Sequence, residues 1–559
     1  MDNAAPVESK IELESLIERN PDFDEKTVKV LRKLVEIRKR KDLKLKQPKH
    51  LKSTFTDFSG QERPLTLRYY QVQGIMHLVL MKRFLLGDDT GLGKTLQSIA
   101  ALCVVWETDP TRKAIVLTTK SATRQWVDEF TKFTHGVTVI TCKGTPDQRR
   151  LARKMYLASK GPTVMVMGYR SACNDFTDMQ KWQGHILITD EATAYKNPHT
   201  QIHRVCRHLG DNADRVWALT ATMIKNHLME GYGIFKVVLP TLFGMTENQF
   251  MMYYALVVMR DVGRGRQVPQ IQGYLPEKIR EFREVIAPYI IGRPKHEVAS
   301  ELPTLTSRKV EVEMTAVQED KYTEALEGLL EMIKDGEATV QEVSKLTAIA
   351  YCQEIANHLG MIGMEDAESP KIDALIEMLT EGDFTDDKVI VFSRFEKMVS
   401  YTMARLKAEK IHAVRVTGKE NEDQRRAAMK AFQDPNSDVR VICITTAGSE
   451  AINLQAAKAL VCMDTPWSAG EFLQLLGRMI RIGSVHDRCY VIHMVARRTG
   501  SKKETVDHRI MHVLSKKMGL VESVLGKRIK GEGEDYSAIS VENDISDLFA
   551  ALKNDAKGD

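Results

Sequence analysis

The sequence predicts an α/β protein built on two parallel-sheet lobes, and three observations carry that expectation. From about residue 64 to 230, short apolar runs alternate with amphipathic stretches of helical period, the pattern of a parallel sheet covered by helices. The same alternation returns between residues 388 and 494. A chain of 559 residues also exceeds what one core organises; the usual domain size suggests roughly three to four units.

Taken in order, residues 1–62 read as a basic helical appendage, with polar helices over 8–19 and 26–40 and a lysine-rich linker carrying Pro48. Residues 63–230 form lobe 1, whose buried strands begin at Ala114, Thr163, His185 and Val216. Residues 231–370 read as a mainly helical insertion and linker, including the loop 263–266 and long helical patterns over 317–334 and 339–359. Lobe 2 spans 371–500, with strands beginning at Lys388, Val439, Ala459 and Tyr490. Residues 501–559 read as a C-terminal helix followed by a poorly ordered tail rich in acidic and small residues.

Composition narrows the class. Hydrophobic residues at 43% and charged residues at 28% describe a globular chain. No apolar run approaches the ~20 residues of a membrane span, and the N-terminus lacks a signal-peptide pattern. The expected location is the cytosol of a bacterium or of a virus's host, or the nucleus of a eukaryote. Eight cysteines with no CxxC pair argue against zinc and disulfides, and are expected to be reduced core thiols. The net charge of +5 is mild, but between Lys29 and Lys52 nine further basic residues face only Glu36 and Asp42. That block suits a phosphate backbone, and suits equally a solvated helix face followed by a linker.

The chemistry is concentrated in three places. Leu85-Leu86 leads into Gly87-Asp88-Asp89-Thr90-Gly91-Leu92-Gly93-Lys94-Thr95, a strand followed by a glycine-rich loop ending in Lys-Thr. Such a loop turns backbone N–H groups toward phosphates, its lysine reaches the outer phosphate oxygens, and its threonine ligates Mg²⁺, so ATP is the expected ligand. Asp88 stands where the usual pattern has glycine. Some 95 residues on, Asp190-Glu191 closes a buried strand, where open α/β sheets place their ligands. Asp190 is suited to hold Mg²⁺ and Glu191 to deprotonate water, which favours hydrolysis over transfer to a hydroxyl. Finally, Arg478 and Arg481 lie on one side of a helical turn, able to grip a phosphate or to serve a surface ion-pairing face.

In order, the segments 67–71, 88–95, 190–193, 220–222, 391–393, 445–448 with Asn453, and 474–481 resemble the motifs of superfamily 2 helicase-type motors. Within that superfamily the chain resembles the Swi/Snf-type ATPases. The markers are the aspartate-headed loop, the run from Asp190 through Asn197, Gln125-Trp126 before Glu129-Phe130, Ile291-Gly292-Arg293 with Lys295, and Glu504 through Asp507. The resemblance covers about residues 64–525 and implies two RecA-like lobes.

It also implies roles. Gln71 would read the adenine edge with Arg68 nearby, and Asp89, Thr90, Gly91, Leu92, Gly93, Lys94 and Thr95 would hold the phosphates of ATP. Thr95 and Asp190 would hold Mg²⁺, while Lys94, Glu191, Gln474, Arg478 and Arg481 would carry hydrolysis. Lys120, Ser121, Gly168, Tyr169, Ser393, Arg394, Thr417, Gly418, Thr446 and Gly448 would contact nucleic-acid phosphates, which position a protein without reading sequence. Trp467 sits where relatives carry an aromatic near the lobe interface or DNA; a core tryptophan fits nearly as well. Thr193, Met223, Ile480 and Ser449-Glu450-Ala451 depart from the family pattern where ATP and nucleic-acid contacts meet.

The resemblance thus implies a DNA-stimulated ATPase that translocates on double-stranded DNA and remodels what is bound there. A strand-separating or branch-remodelling helicase and an ATP-gated DNA clamp with little turnover are the alternatives. The compactness points to a bacterial or viral member acting as a monomer, with DNA and a protein bound to DNA as partners and no membrane.

Overall fold

The computed structural model describes residues 13–19, 23–56, 62–120, 122–221, 228–261, 267–298, 303–334, 342–365, 367–448, 452, 454–467, 469–480, 484, 486–499 and 504–514. The chain divides into two compact units.

In the first unit, seven strands form one sheet: β1 (Arg83–Leu86), β2 (Lys113–Thr118), β3 (Thr138–Cys142), β4 (Thr163–Gly168), β5 (Ile186–Asp190), β6 (Arg215–Leu219) and β7 (Ile290–Ile291). Their spatial order is β7-β1-β6-β5-β2-β4-β3, and every neighbouring pair is parallel. Continuous apolar runs explain this choice. Ile115, Val116, Leu117, Ile186, Leu187 and Ile188 are completely buried, as strands covered on both faces must be.

Four helices matter for the site: α1 (Glu25–Lys39), α2 (Tyr69–Met81), α3 (Lys94–Thr108) and α4 (Ala122–Phe133). Asp24 caps α1 by accepting the Thr27 N–H at 2.7 Å. This helix is no free appendage. Leu31, Leu34 and Ile37 are buried, Met81 of α2 and Ala287 pack against the cluster containing Leu31 and Leu34, and Ile37 packs with Val72. The expected division at residue 62 therefore gives way to a lobe that includes the N-terminal helix.

The second unit holds a six-stranded sheet of β8 (Thr304–Glu313), β9 (Val389–Phe392), β10 (Ala413–Val416), β11 (Val441–Ile444), β12 (Ala459–Cys462) and β13 (Arg488–Arg497). The order is β8-β13-β12-β9-β11-β10, again parallel throughout. Helix α5 (Ala469–Met479) carries Gln474 and Arg478.

The segment expected to be helical insertion and linker, 231–370, supplies a strand to each sheet. Residues 274–300 belong to the first unit, where β7 pairs with β1, and β8 lies at an edge of the second sheet over ten paired residues. Neither strand has a readable apolar run. β7 has two residues, and β8 alternates charged and partly buried positions because only one of its edges is paired. All eight cysteines are buried free thiols. Among the described residues no helix is long and apolar enough to cross a membrane. Residues 506–514 are helical, and the expected tail lies outside the described residues.

Candidate functional site

Strand register assembles the site in lobe 1. Leu86, the last residue of β1, and Asp190, the last of β5, both pair with Leu219 of β6 between them. Two strand spacings, about 10 Å, therefore separate the start of the glycine-rich loop from the Asp190-Glu191 pair. Thr220 continues β6 between them and donates its N–H to the Leu86 carbonyl at 3.2 Å.

The loop is shaped to expose backbone. Gly91 and Gly93 have φ of 85° and 78°, conformations that side chains disfavour. A Cβ at Gly93 would also lie 2.7 Å from Gln71 Nε2. Helix α3 starts immediately after, so its first N–H groups and positive end face the loop. Lys94 Nζ donates to the carbonyls of Asp88 and Asp89 at 2.8 and 3.2 Å, holding its ammonium over the loop. These residues fit a polyphosphate. Gln71 Nε2 reaches the Leu92 carbonyl at 3.4 Å while its Oε1 accepts the Arg68 N–H at 3.0 Å, so Arg68 and Gln71 border the loop.

Asp190 is held from several sides. Its Oδ2 accepts the Trp126 indole N–H at 2.7 Å and the Thr118 hydroxyl at 3.1 Å. The Tyr169 hydroxyl donates to its carbonyl at 2.7 Å. Burial raises the Tyr169 phenol well above its ordinary value, so this donor keeps its proton. Glu191 follows with φ 53° and ψ 59°, a left-handed conformation that costs a non-glycine residue about 1–2 kcal/mol. Among the described residues no three His, Cys, Asp or Glu side chains form a metal cage. Thr95 and Asp190 instead fit Mg²⁺, which is commonly held by one or two carboxylates with phosphates and water.

Of the expected nucleic-acid contacts in lobe 1, Lys120 and Gly168 lie together: a Cβ at Gly168 would be 3.8 Å from the Lys120 Cα. Tyr169 is buried and serves Asp190. Ser121 lies outside the described residues.

In lobe 2, the parallel pairing of β10 with β11 brings Thr417 and Gly418 beside Thr446 and Gly448. Arg425 Nη2 bridges the Thr417 and Ala447 carbonyls at 3.1 and 2.8 Å. Two expected contacts are spent internally. Ser393 is buried, with its hydroxyl on Asp464 Oδ2 at 2.5 Å, and Thr417 is buried, with its N–H and hydroxyl on Glu420 at 2.6 and 2.8 Å. The Arg394 guanidinium stacks on the Trp467 ring at 5.0 Å, and both side chains donate to Gln353 Oε1 at 3.1 Å. Trp467 also packs against the cluster of Tyr322, Ile349 and Cys352. Gln474 and Arg478 are partly exposed and one turn apart on α5; Arg481, Thr222, Met223, Asn453 and residues 449–451 lie outside the described residues.

Sequence reasoning marked Trp126 and Arg293 as resemblance markers without a role. Arg293 packs against the loop through Asp88, and Trp126 against the metal-ligand candidate.

Comparison with known proteins bears on the same residues. The SNF2-related domain model matches residues 70–361, more than half of the chain, and the helicase conserved C-terminal domain model matches 370–483. The nuclear protein STH1/NPS1 of Saccharomyces cerevisiae is 24% identical over 475 residues, covering 80% of this chain and 34% of its own. The ISWI chromatin-remodeling complex ATPase CHR17 of Arabidopsis thaliana is 24% identical over 436 residues, with 75% and 39% covered. An uncharacterized ATP-dependent helicase, MG018, of Mycoplasma genitalium is 24% identical over 465 residues, with 82% and 42% covered. The chain thus spans at most 42% of the length of these relatives. A solved SWI2/SNF2 ATPase core of Sulfolobus solfataricus in complex with dsDNA is 22% identical, covering 87% of this chain and 96% of its own, with a TM-score of 0.40.

Proposed function

The chain belongs to the SNF2-related family of helicase-type ATP hydrolases, and on that premise we propose that it is a DNA-stimulated ATPase that translocates on double-stranded DNA and remodels protein–DNA or DNA structures. The observation that carries this reading is the register that sets the phosphate loop and Asp190-Glu191 about two strand spacings apart on one sheet edge.

Bound ATP supplies the phosphoanhydride bond whose hydrolysis drives the motor. The chain's own groups divide the work. The loop amides and the Lys94 ammonium neutralise phosphate charge, and Thr95 and Asp190 hold Mg²⁺. Glu191 takes the proton from water, and its left-handed backbone turns the residue away from the strand path followed by Asp190. In lobe 2 the reading assigns transition-state cations to Arg478 and Arg481, and coupling to Gln474. The proposed DNA contacts are Lys120 and Gly168 in lobe 1, and Arg394, Gly418, Thr446, Gly448 and Trp467 in lobe 2. Lysine, exposed backbone and hydroxyl are the groups that grip phosphate irrespective of sequence.

The test is ATP hydrolysis measured alone and with duplex, fork, junction and single-stranded DNA. Duplex should stimulate most, with displacement of a triplex-forming strand and no release of a labelled strand from a fork. Strand release would favour the helicase alternative, and tight DNA binding without turnover the clamp. Glu191→Gln should bind ATP without turning it over; hydrolysis at the wild-type rate by that variant removes Glu191 from the role of base.

A further inference from the structure

The phosphate loop is buttressed from behind by groups that the proposed hydrolysis does not use. Asp88 is completely buried, and its carboxylate accepts from Arg293 Nε at 2.8 Å, Arg293 Nη2 at 2.5 Å, the Arg293 backbone N–H at 3.2 Å and Gln97 Nε2 at 3.0 Å. Backbone bonds run beside it, from the Gly87 N–H to the Ile291 carbonyl at 2.7 Å and from the Asp89 N–H to the Arg293 carbonyl at 3.1 Å. The first three residues of the loop, Gly87, Asp88 and Asp89, are thus fixed by a segment some 200 residues away in the sequence.

Arg293 is itself held. Its Nη1 donates to the Tyr70 carbonyl and, at 3.1 Å, to Gln73 Oε1; its guanidinium lies 5.4 Å from the Tyr70 ring centre. Gly74 makes room, since a Cβ there would fall 1.9 Å from Gln97 Oε1 and 3.1 Å from Arg293 Nη2. The other end of Gln73 points to the N-terminal helix: its Nε2 lies 3.1, 3.1 and 3.0 Å from the carbonyls of Ile37, Arg38 and Arg40 at the end of α1. Arg38 closes the frame, donating to the Ala287 and Ile290 carbonyls at 3.2 and 2.9 Å and to His77 Nε2 at 3.1 Å. Burial, and then the Arg293 charge, lower the Arg38 guanidinium to about 10, so the two cations stand near each other in a poorly solvated space.

We infer that Arg293 is a positioning residue for nucleotide binding, fixing the phosphate loop through Asp88, and that the N-terminal helix is part of this support through Gln73. A helix regarded as an appendage then helps set nucleotide affinity, because an anion cradle made of backbone N–H groups binds only as well as its backbone is fixed. The inference rests on the reading of lobe 1 as the ATP site.

The test compares wild type, Gln73→Met and the neutralised pair Asp88→Asn/Arg293→Gln in the full chain. The double variant keeps approximate shape and leaves no buried charge alone. Two measurements are made on each: hydrogen exchange of peptides covering residues 84–96, and titration with a fluorescent ADP, alongside thermal melting. The expected result is faster exchange in the loop and ADP binding weakened on the order of 10-fold, with KM for ATP raised and kcat at saturation within about twofold. A support that merely stabilised the lobe would lower the melting temperature without this split. The role of Arg293 is overturned if the folded double variant shows wild-type loop exchange and ADP affinity, and the part played by the N-terminal helix is overturned if folded Gln73→Met does. If wild type binds no ADP, the ATP-site reading fails, and the exchange data still decide whether Gln73 and Arg293 fix the loop.

Discussion

The guanidinium of Arg293 grips both carboxylate oxygens of Asp88, Nε to Oδ1 at 2.8 Å and Nη2 to Oδ2 at 2.5 Å, with neither side chain appreciably exposed. Breaking a buried pair from one side strands a charge, so Asp88→Ala and Arg293→Ala should each destabilise lobe 1 by about 3–5 kcal/mol. Removing both should cost clearly less than the sum, with a coupling on the order of 1–3 kcal/mol. Tryptophan fluorescence suits the measurement, because Trp106, Trp126, Trp182 and Trp217 all lie in the first unit and Trp467 alone in the second. Strictly additive losses in denaturant unfolding would mean that the pair contributes nothing as a pair.

Acid should weaken both lobes through buried histidines, His185 among those of lobe 1 and His493 among those of lobe 2. Burial pushes His185, just before β5, and His493, within β13, down to about 4 from 6.5. Each is therefore neutral when folded and takes up a proton more readily when unfolded. Stability is full above about pH 6.5 and falls as pH drops toward 4, by an amount on the order of 3 kcal/mol per histidine. His493 Nδ1 has no hydrogen-bond partner among the described residues, so His493→Leu should fold and flatten the pH dependence of lobe 2 melting. An unchanged slope in that variant would assign the acid sensitivity elsewhere.

What could be read from the sequence follows from the kind of signal each element carries. β2, β4, β5 and β6 announce themselves because parallel strands buried on both faces are apolar throughout, and the loop from Gly87 to Thr95 because its glycines and closing Lys-Thr form a local pattern. β7 and β8 were silent: the first spans two residues, and the second is an edge strand rich in charge. Partners distant in the chain left no local trace either. Nothing near Asp88 points to Arg293, and nothing near Asp190 points to Trp126, because each pair is closed by topology. Burial also separates Ser393, Thr417, Tyr169 and Gly448 from the exposed Lys120 and Gly418 with which the motifs group them.

Lobe 2 has its own buried ion pair. Lys371 Nζ donates to Asp507 Oδ2 at 2.7 Å, Asn357 Oδ1 at 2.8 Å and the Met463 carbonyl at 2.8 Å, while Asp507 Oδ2 also accepts the Ala496 N–H at 3.0 Å. The pair ties the C-terminal segment from Glu504 to the sheet, and Asn357 Nδ2 extends it to Asp464 at 3.3 Å, beside Ser393. Lys371→Met should destabilise lobe 2 by about 3–5 kcal/mol and leave ADP affinity unchanged. Thermal melting of the Lys371→Met variant, with hydrogen exchange of lobe 2 peptides and an ADP titration beside it, checks both parts; weakened ADP binding would contradict the second.

Trp126 links the two surfaces of lobe 1. Its indole N–H bonds to Asp190 Oδ2 at 2.7 Å, and its helix α4 begins two residues after Lys120, a proposed DNA contact. On the other side Tyr169, which follows Gly168, bonds to the Asp190 carbonyl at 2.7 Å. Movement of either segment on DNA would therefore shift the carboxylate proposed to hold Mg²⁺. Trp126→Phe keeps the packing beside Phe130 and deletes one bond to a charged acceptor, a loss of about 1.5–3 kcal/mol. The expected outcome is a higher Mg²⁺ requirement and a DNA-stimulated rate reduced on the order of 10-fold or more, with basal hydrolysis less affected and the melting temperature lowered by several degrees. Equal loss of basal and stimulated rates would make Trp126 a support of Asp190 alone, and a wild-type Mg²⁺ requirement would remove it from the site altogether.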